Sequence, residues 1–181
     1  MNQIILISGT KGSGHLEMAL ALCERFDRML LIDTDDLRRM IKAGFRYPWH
    51  TDKQSIEQDE LNVMNASVIA LNACSKRYSA IIIDSIFSEK LEWYKKSLAG
   101  TEIDIQFITL MPQLNVIEEK LLDSPLLEYS KSVHKKISAE IEAKILSGLV
   151  IDNSNDLTPS VTADRVQDVI ARGLALLDLS N

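Results

Sequence analysis

"QIILISGTKGSGHLEMALAL", residues 3–22, decides how the rest of the chain is read. Its first six residues are an apolar run without alternation, the mark of a strand buried on both faces. Gly9, Gly12 and Gly14 then break the run before a helical periodicity begins near Leu16. Glycine tolerates the backbone conformations that turn consecutive N–H groups inward around an anion, and the positive end of the next helix points at the same spot. The spacing fits the phosphate-loop pattern G-x-x-x-x-G-K-[ST] from Gly9 to Gly14 and departs from it at the last two positions, His15 and Leu16. The stretch therefore predicts an anion cradle made of Gly9, Thr10, Lys11, Gly12, Ser13, Gly14 and His15, without the usual lysine and metal-holding hydroxyl. A charge-assisted hydrogen bond is worth about 1.5–3 kcal/mol, so the missing lysine weakens a polyphosphate contact by roughly one to two powers of ten. An ordinary imidazole is only about one quarter cationic at neutral pH, which leaves Lys11 as the replacement cation.

The same kind of apolar run recurs at 29–32, 80–83, 105–110 and 149–151, and helical stripes lie between the runs. Those stripes are Leu16, Leu20, Cys23 and Phe26; Leu61, Met64, Val68 and Leu71; Val133, Ile137, Ile141 and Ile145; and Val166, Ile170, Leu174 and Leu177. Strands alternating with helices predict a three-layer α/β/α domain around a five-stranded, mostly parallel sheet, spanning residues 1–181 as one unit. Gly44 is expected to close a short helix starting near Asp35, and Thr158-Pro159 to open the last one. The least periodic stretches, 44–55 and 123–132, read as covers over a site: an acceptor-side loop at about 44–55 and a lid-like segment at about 120–136.

With 181 residues, 46% of them hydrophobic, the chain is long enough for a full core. A net charge of -6 and a pI near 5.1 argue against a nucleic-acid partner and against an acidic membrane surface. Cys23 and Cys74 sit among apolar neighbours and read as small buried hydrophobes of a reducing compartment. With no apolar run of membrane-spanning length, the expected location is the cytoplasm.

Ligands of open α/β sheets bind beyond the carboxyl ends of the strands. The residues predicted there are Ser8-Gly9, Asp33-Thr34-Asp35, Asp84-Ser85 and Asp152-Asn153, so one rim gathers the cradle and several carboxylates. Asp35, Asp84 and Ser85 are equally suited to capping the helices that follow, and that alternative stays open.

These motifs resemble the small P-loop kinases, the group of shikimate, gluconate and adenylate kinases and of chloramphenicol phosphotransferase. The resemblance covers nearly the whole chain, through "ILISGTKGSG", "LLIDTDDLRRMI", "AIIIDS", "IDIQFITLMPQLNVIEEK" and "LVIDNSNDLTPSVTADRVQDVI". It implies an ATP-dependent phosphotransferase that binds ATP or another purine nucleotide with Mg²⁺ and phosphorylates a small hydroxylated acceptor. By position, Asp33 would orient or deprotonate the acceptor hydroxyl as base, Asp35 would help with metal or substrate, Arg38 or Arg39 would face the acceptor, Asp84 would hold Mg²⁺ through water, and Asn153 to Pro159 would border the adenine. The departures are His15 and Leu16 in the loop and the lack of any arginine between Arg77 and Arg165, where such kinases carry lid arginines. Lys120, Lys131, His134, Lys135 and Lys136 offer point charges there, without the bidentate fork of arginine.

"AGFRYPWHTD", residues 43–52, joins aromatic rings to Arg46 and His50 and is the expected wall for the acceptor, with Arg46 and Trp49 touching it. Trp93 and Tyr94 read instead as packing residues of an amphipathic helix. Two further function classes stay open. One is a non-catalytic protein that binds a nucleotide or another anion for a regulatory or partner-binding purpose. The other is a sulfotransferase, in which a lysine early in the loop grips the 5′ phosphate of a sulfonucleotide. A homodimer stays open as the assembly state.

Overall fold

Five strands carry the predicted apolar runs: β1 (Gln3–Ser8), β2 (Met29–Asp33), β3 (Ser79–Asp84), β4 (Asp104–Leu110) and β5 (Leu149–Ile151). The computed structural model describes residues 2–179. All four ladders are parallel, and the strand order is β2-β3-β1-β4-β5. The helices are α1 (His15–Cys23), α2 (Thr34–Arg39), α3 (Lys53–Ser75), α4 (Ser88–Leu98), α5 (Leu114–Lys120), α6 (Leu127–Glu142) and α7 (Pro159–Ala171). Among the described residues no helix is long and apolar enough to cross a membrane.

The unalternating strands are explained by two separate apolar layers. Ile4 and Leu6 of β1 face one layer with Ala80, Ile82, Ile105 and Phe107, covered by α3, α4 and α6. Ile5 and Ile7 face the other with Ile81, Ile83, Ile108 and Leu110, covered by α1 and α7. Each fully buried isoleucine contributes roughly 1.5–3 kcal/mol, so the sheet interior dominates stability and the rim is left to polar chemistry.

Helix faces agree less well with the predicted stripes. On α1 the buried residues are His15, Met18, Ala19 and Leu22, whereas Leu20 is half exposed. On α3 the sheet-facing side is Asn62, Val63, Ala66, Ser67, Ala70 and Cys74, and the predicted Leu61, Met64 and Val68 point outward at 44–56% exposure. Small residues let α3 approach the sheet closely, which selects that face over the greasier one. The short second helix ends at Arg39 rather than at Gly44, with tightened bonds from the Met40 and Ile41 N–H groups to the Leu37 and Arg38 carbonyls. Gly44 instead turns at φ 72 and presents its carbonyl to Gln58 Nε2 at 2.8 Å. Thr158 does precede α7, with Pro159 at its first turn, but its hydroxyl makes no capping bond.

β1 lies between β3 and β4, with β2 reached across β3, so the direction of winding switches beside the carboxyl end of β1. Register places Ser8 opposite Asp84 there, one strand from Asp33.

Candidate active site

The loop between β1 and α1 is held open from below and closed on top. Gly12 and Gly14 adopt φ 85 and 82, a region that penalises any side chain. Gly9 is required for a different reason: a Cβ there would lie 2.4 Å from Ser13 Oγ. Gly14 caps α1 with no side-chain bond, and the N–H groups of Gly12, Gly14, His15 and Leu16 have no acceptor among the described residues. Four unsatisfied donors at a helix start are the geometry that an anion cradle requires. Asn153 supports the loop from the side, its Nδ2 donating to the Ser13 carbonyl at 2.9 Å. On top, Leu121 and Ile117 press against Gly12, within 3.2–3.3 Å of where its Cβ would be, and Thr10 Oγ1 donates to the Ser130 carbonyl at 3.2 Å. Lys120 Nζ sits 3.6 Å from the corresponding position at Gly14.

His15 occupies the lysine position and is only 6% exposed. Its Nδ1 shares a 3.0 Å hydrogen bond with Ser13 Oγ, and the ring lines a cavity of about 60 Å³ together with Lys11, Asp33, Asp35, Asp84 and Lys90. Burial, reinforced by the nearby Lys11 charge, pushes its pKa down to about 4. The imidazole is therefore neutral at pH 7 and supplies no charge to the cradle.

Lys11 turns away from the loop interior and pairs with Asp35, Nζ to Oδ2 2.6 Å. Burial works against the charged form of Asp35, but the bond and charge of Lys11 outweigh it and hold the carboxyl below its usual range. Asp33 caps α2 by accepting from the Asp35 N–H at 2.8 Å. Burial raises its pKa, with the Asp35 N–H opposing.

Arg38 is 3% exposed and serves the scaffold: it donates to the Arg46 carbonyl at 2.8 Å and pairs with Asp59 of α3. Its guanidinium does line the small cavity. Arg39, expected to face the acceptor, pairs instead with Asp36 in solvent, because its helix ends at that residue and turns it outward. Arg46 lies 3.5 Å from Asp52 and lines neither this cavity nor the next one. Trp49 is placed where a binding wall is needed. It stacks on Tyr47 at 4.5 Å, meets Tyr129 edge-on at 5.7 Å, and with Phe87, Trp93 and Lys136 encloses about 330 Å³. Pro48, Asp59 and Tyr129 line both cavities, so the aromatic space opens toward the carboxylates.

Asp84, the expected magnesium residue, is fully engaged by protein. Its Oδ1 accepts from Lys90 Nζ at 2.8 Å and from the Ser85 N–H at 2.7 Å, and its Oδ2 accepts from Tyr94 at 3.1 Å. Lys90, Asp59 and Tyr129 went unnoticed in the sequence, and Tyr94, buried on the packing face of its helix as expected, also holds the site through its bond to Asp84. A signal for Lys90 exists: with Leu91, Tyr94 and Leu98 it forms the inward face of α4, and a lysine on an apolar stripe needs a buried counter-charge.

The fold and this rim define the class: the chain has the architecture of the P-loop kinases. It is similar over 98% of its length, and 99% of the other chain, to the tunicamycin resistance protein of Deinococcus radiodurans, at 17% identity and TM-score 0.67. The APS kinase of Mycobacterium tuberculosis in complex with AMPPNP and APS matches at 16% identity and TM-score 0.64, over 94% of this chain and 98% of that one. Shikimate kinase from Acinetobacter baumannii in complex with shikimate matches at 16% and 0.63, over 96% and 95%. No protein-family model matches the sequence, and no curated protein is significantly similar to it.

Proposed function

We propose that the protein binds a purine nucleotide such as ATP in the Gly9–Gly14 cradle and transfers a phosphoryl group to a small hydroxylated acceptor, with Asp33 as general base. The observation that carries this reading is the row of unpartnered N–H groups at Gly12, Gly14, His15 and Leu16 beside a cavity that contains Asp33. Of the four carboxylates that line the small cavity, Asp33 is the one without a salt-bridge partner among the described residues, and its raised pKa strengthens it as a proton acceptor toward an alcohol. The acceptor's body would lie in the aromatic space beside Trp49, with its hydroxyl turned to Asp33. Thr10 and Lys11 would border the phosphates, Asn153 would fix the loop and border the base, and lid lysines would supply charge at the transferring group. The donor set fits Mg²⁺ poorly: Leu16 offers no oxygen, Asp84 is bonded to Lys90 and Tyr94, Asp35 is paired with Lys11, and among the described residues no three such side chains are grouped around an ion.

A second reading, binding of a nucleotide or other anion without transfer, is favoured by the internal pairing of Lys11 with Asp35 and of Asp84 with Lys90. Incubation with ATP and a panel of small alcohols separates the two. ADP formation that disappears in Asp33→Ala supports transfer, a rise in melting temperature without ADP supports binding alone, and no binding at millimolar ATP refutes both. Adenosine 3′,5′-bisphosphate belongs in the same titration, since a clear preference for it over ADP favours a sulfotransferase.

A further inference from the structure

The rim holds a cation of its own. Lys90 of α4 is 7% exposed, and its ammonium lies 2.8 Å from Asp84 Oδ1 and 3.6 Å from Asp59 Oδ1. Asp59 is shared with Arg38, which also holds the Arg46 carbonyl, so one buried chain of charges runs from the aromatic loop to the end of β3. Tyr94, fully buried, closes the far side of Asp84.

This leaves Asp84 itself poorly suited to a divalent ion. Mg²⁺ demands near-octahedral oxygen ligands and keeps several of its waters. The cavity at Asp84 is about 60 Å³, space for a few waters only, and it already contains the Lys90 charge. An incoming ion would meet a fixed positive charge at short range in a poorly solvated setting, where repulsion is strongest. Among the described residues no three His, Cys, Asp or Glu side chains are grouped to share a metal elsewhere.

We propose that the Lys90 ammonium permanently takes the place of the divalent cation at Asp84, so that the cradle binds metal-free polyphosphate. The second half of this statement rests on the nucleotide reading above; the first half does not. The Lys90–Asp84 pair is fixed in the apo protein, and the ligand it favours is free ADP or ATP rather than the magnesium complex.

Two titrations on the full chain test this. In the first, Mn²⁺ is added without nucleotide and followed by its electron-spin resonance. Wild type is expected to leave the free-ion signal unchanged into the millimolar range. Lys90→Met, which frees Asp84, is expected to capture Mn²⁺, and Lys90→Met with Asp84→Asn to lose it again. Mn²⁺ capture by wild type that Asp84→Asn abolishes overturns the assignment, whether or not the Lys90 variant folds. In the second, calorimetry compares ADP in EDTA with ADP in excess Mg²⁺. Affinity that magnesium leaves unchanged or weakens supports the proposal, and tightening by magnesium of more than about threefold overturns it. If ADP binds in neither buffer, the nucleotide reading and metal-free polyphosphate binding both fail, while the Mn²⁺ titration still decides whether Lys90 occupies the cation position.

Discussion

Acid should unfold this protein through His15. The ring is 6% exposed, and its pKa falls from an ordinary 6.5 to about 4, first because burial strips water from the imidazolium and second because Lys11 repels it. Between those two values the unfolded chain binds a proton that the folded chain refuses. Stability therefore falls as pH drops from about 6.5 toward 4 and is unaffected by this group above or below that window. One pKa unit corresponds to about 1.36 kcal/mol, so the full loss attributable to His15 is about 3 kcal/mol, a large share of the 5–15 kcal/mol typical of a domain. Carboxylates titrate in the same range, so the assay must be differential: urea unfolding of wild type and of His15→Asn at intervals from pH 7.5 to 4. Asn retains a partner for Ser13 Oγ but cannot titrate. The difference in unfolding free energy between the two proteins should shift against wild type by about 3 kcal/mol across the window. Adding Lys11→Met to wild type should shrink the shift, because it removes the second cause while leaving the first. Curves that stay parallel for wild type and His15→Asn would refute the placement of a neutral imidazole in the loop.

Restoring the lysine, His15→Lys, should tighten ADP by roughly tenfold to a hundredfold, the equivalent of 1.5–3 kcal/mol for a charged hydrogen bond. Calorimetry that shows no gain would mean that phosphate does not sit over the start of α1. Gly12→Ala should destabilise the fold by about 1–2 kcal/mol through its left-handed backbone alone. The added methyl also meets Leu121 at 3.2 Å, so chemical denaturation should show a loss at the upper end of that range, and no loss would contradict the packing of the lid segment on the loop.

The order of elements was legible because a parallel strand covered on both faces advertises itself as an unbroken apolar run, and Ile4, Ile5, Leu6 and Ile7 do divide between two layers. Helix faces were legible in part: Val133 and Ile137 of α6 and Val166 of α7 are buried as their spacing predicts, whereas α1 and α3 turn other faces inward. On α1 several stripes score alike, and what selects His15, Met18, Ala19 and Leu22 is the loop, which fixes the rotation of the first residue. On α3 the close approach of Ala66 and Ala70 to the sheet leaves Leu61, Met64 and Val68 outside, a choice made by distance between layers rather than by hydrophobicity. Ser8, Asp33 and Asp84 were legible as rim residues because topology alone places strand ends together.

Topology says nothing of which charge answers which. Lys11 finds Asp35, Arg38 finds Asp59, Arg39 finds Asp36 and Asp84 finds Lys90, and only one of these four pairs lies within a single helix. Lys90 meets Asp84 because α4 folds back over the end of β3, which no spacing rule anticipates. The consequence for chemistry is selective. Counter-ions consume most of the groups that motif position would enlist for substrate and metal, and of the carboxylates lining the small cavity they leave Asp33 with no cation bound to it among the described residues. A base must be free to accept a proton, whereas Asp84 would have to break bonds to Lys90 and Tyr94 first. The same pairing that occupies the customary metal ligand thus leaves Asp33 unpaired in the cavity it shares with the neutral His15 ring.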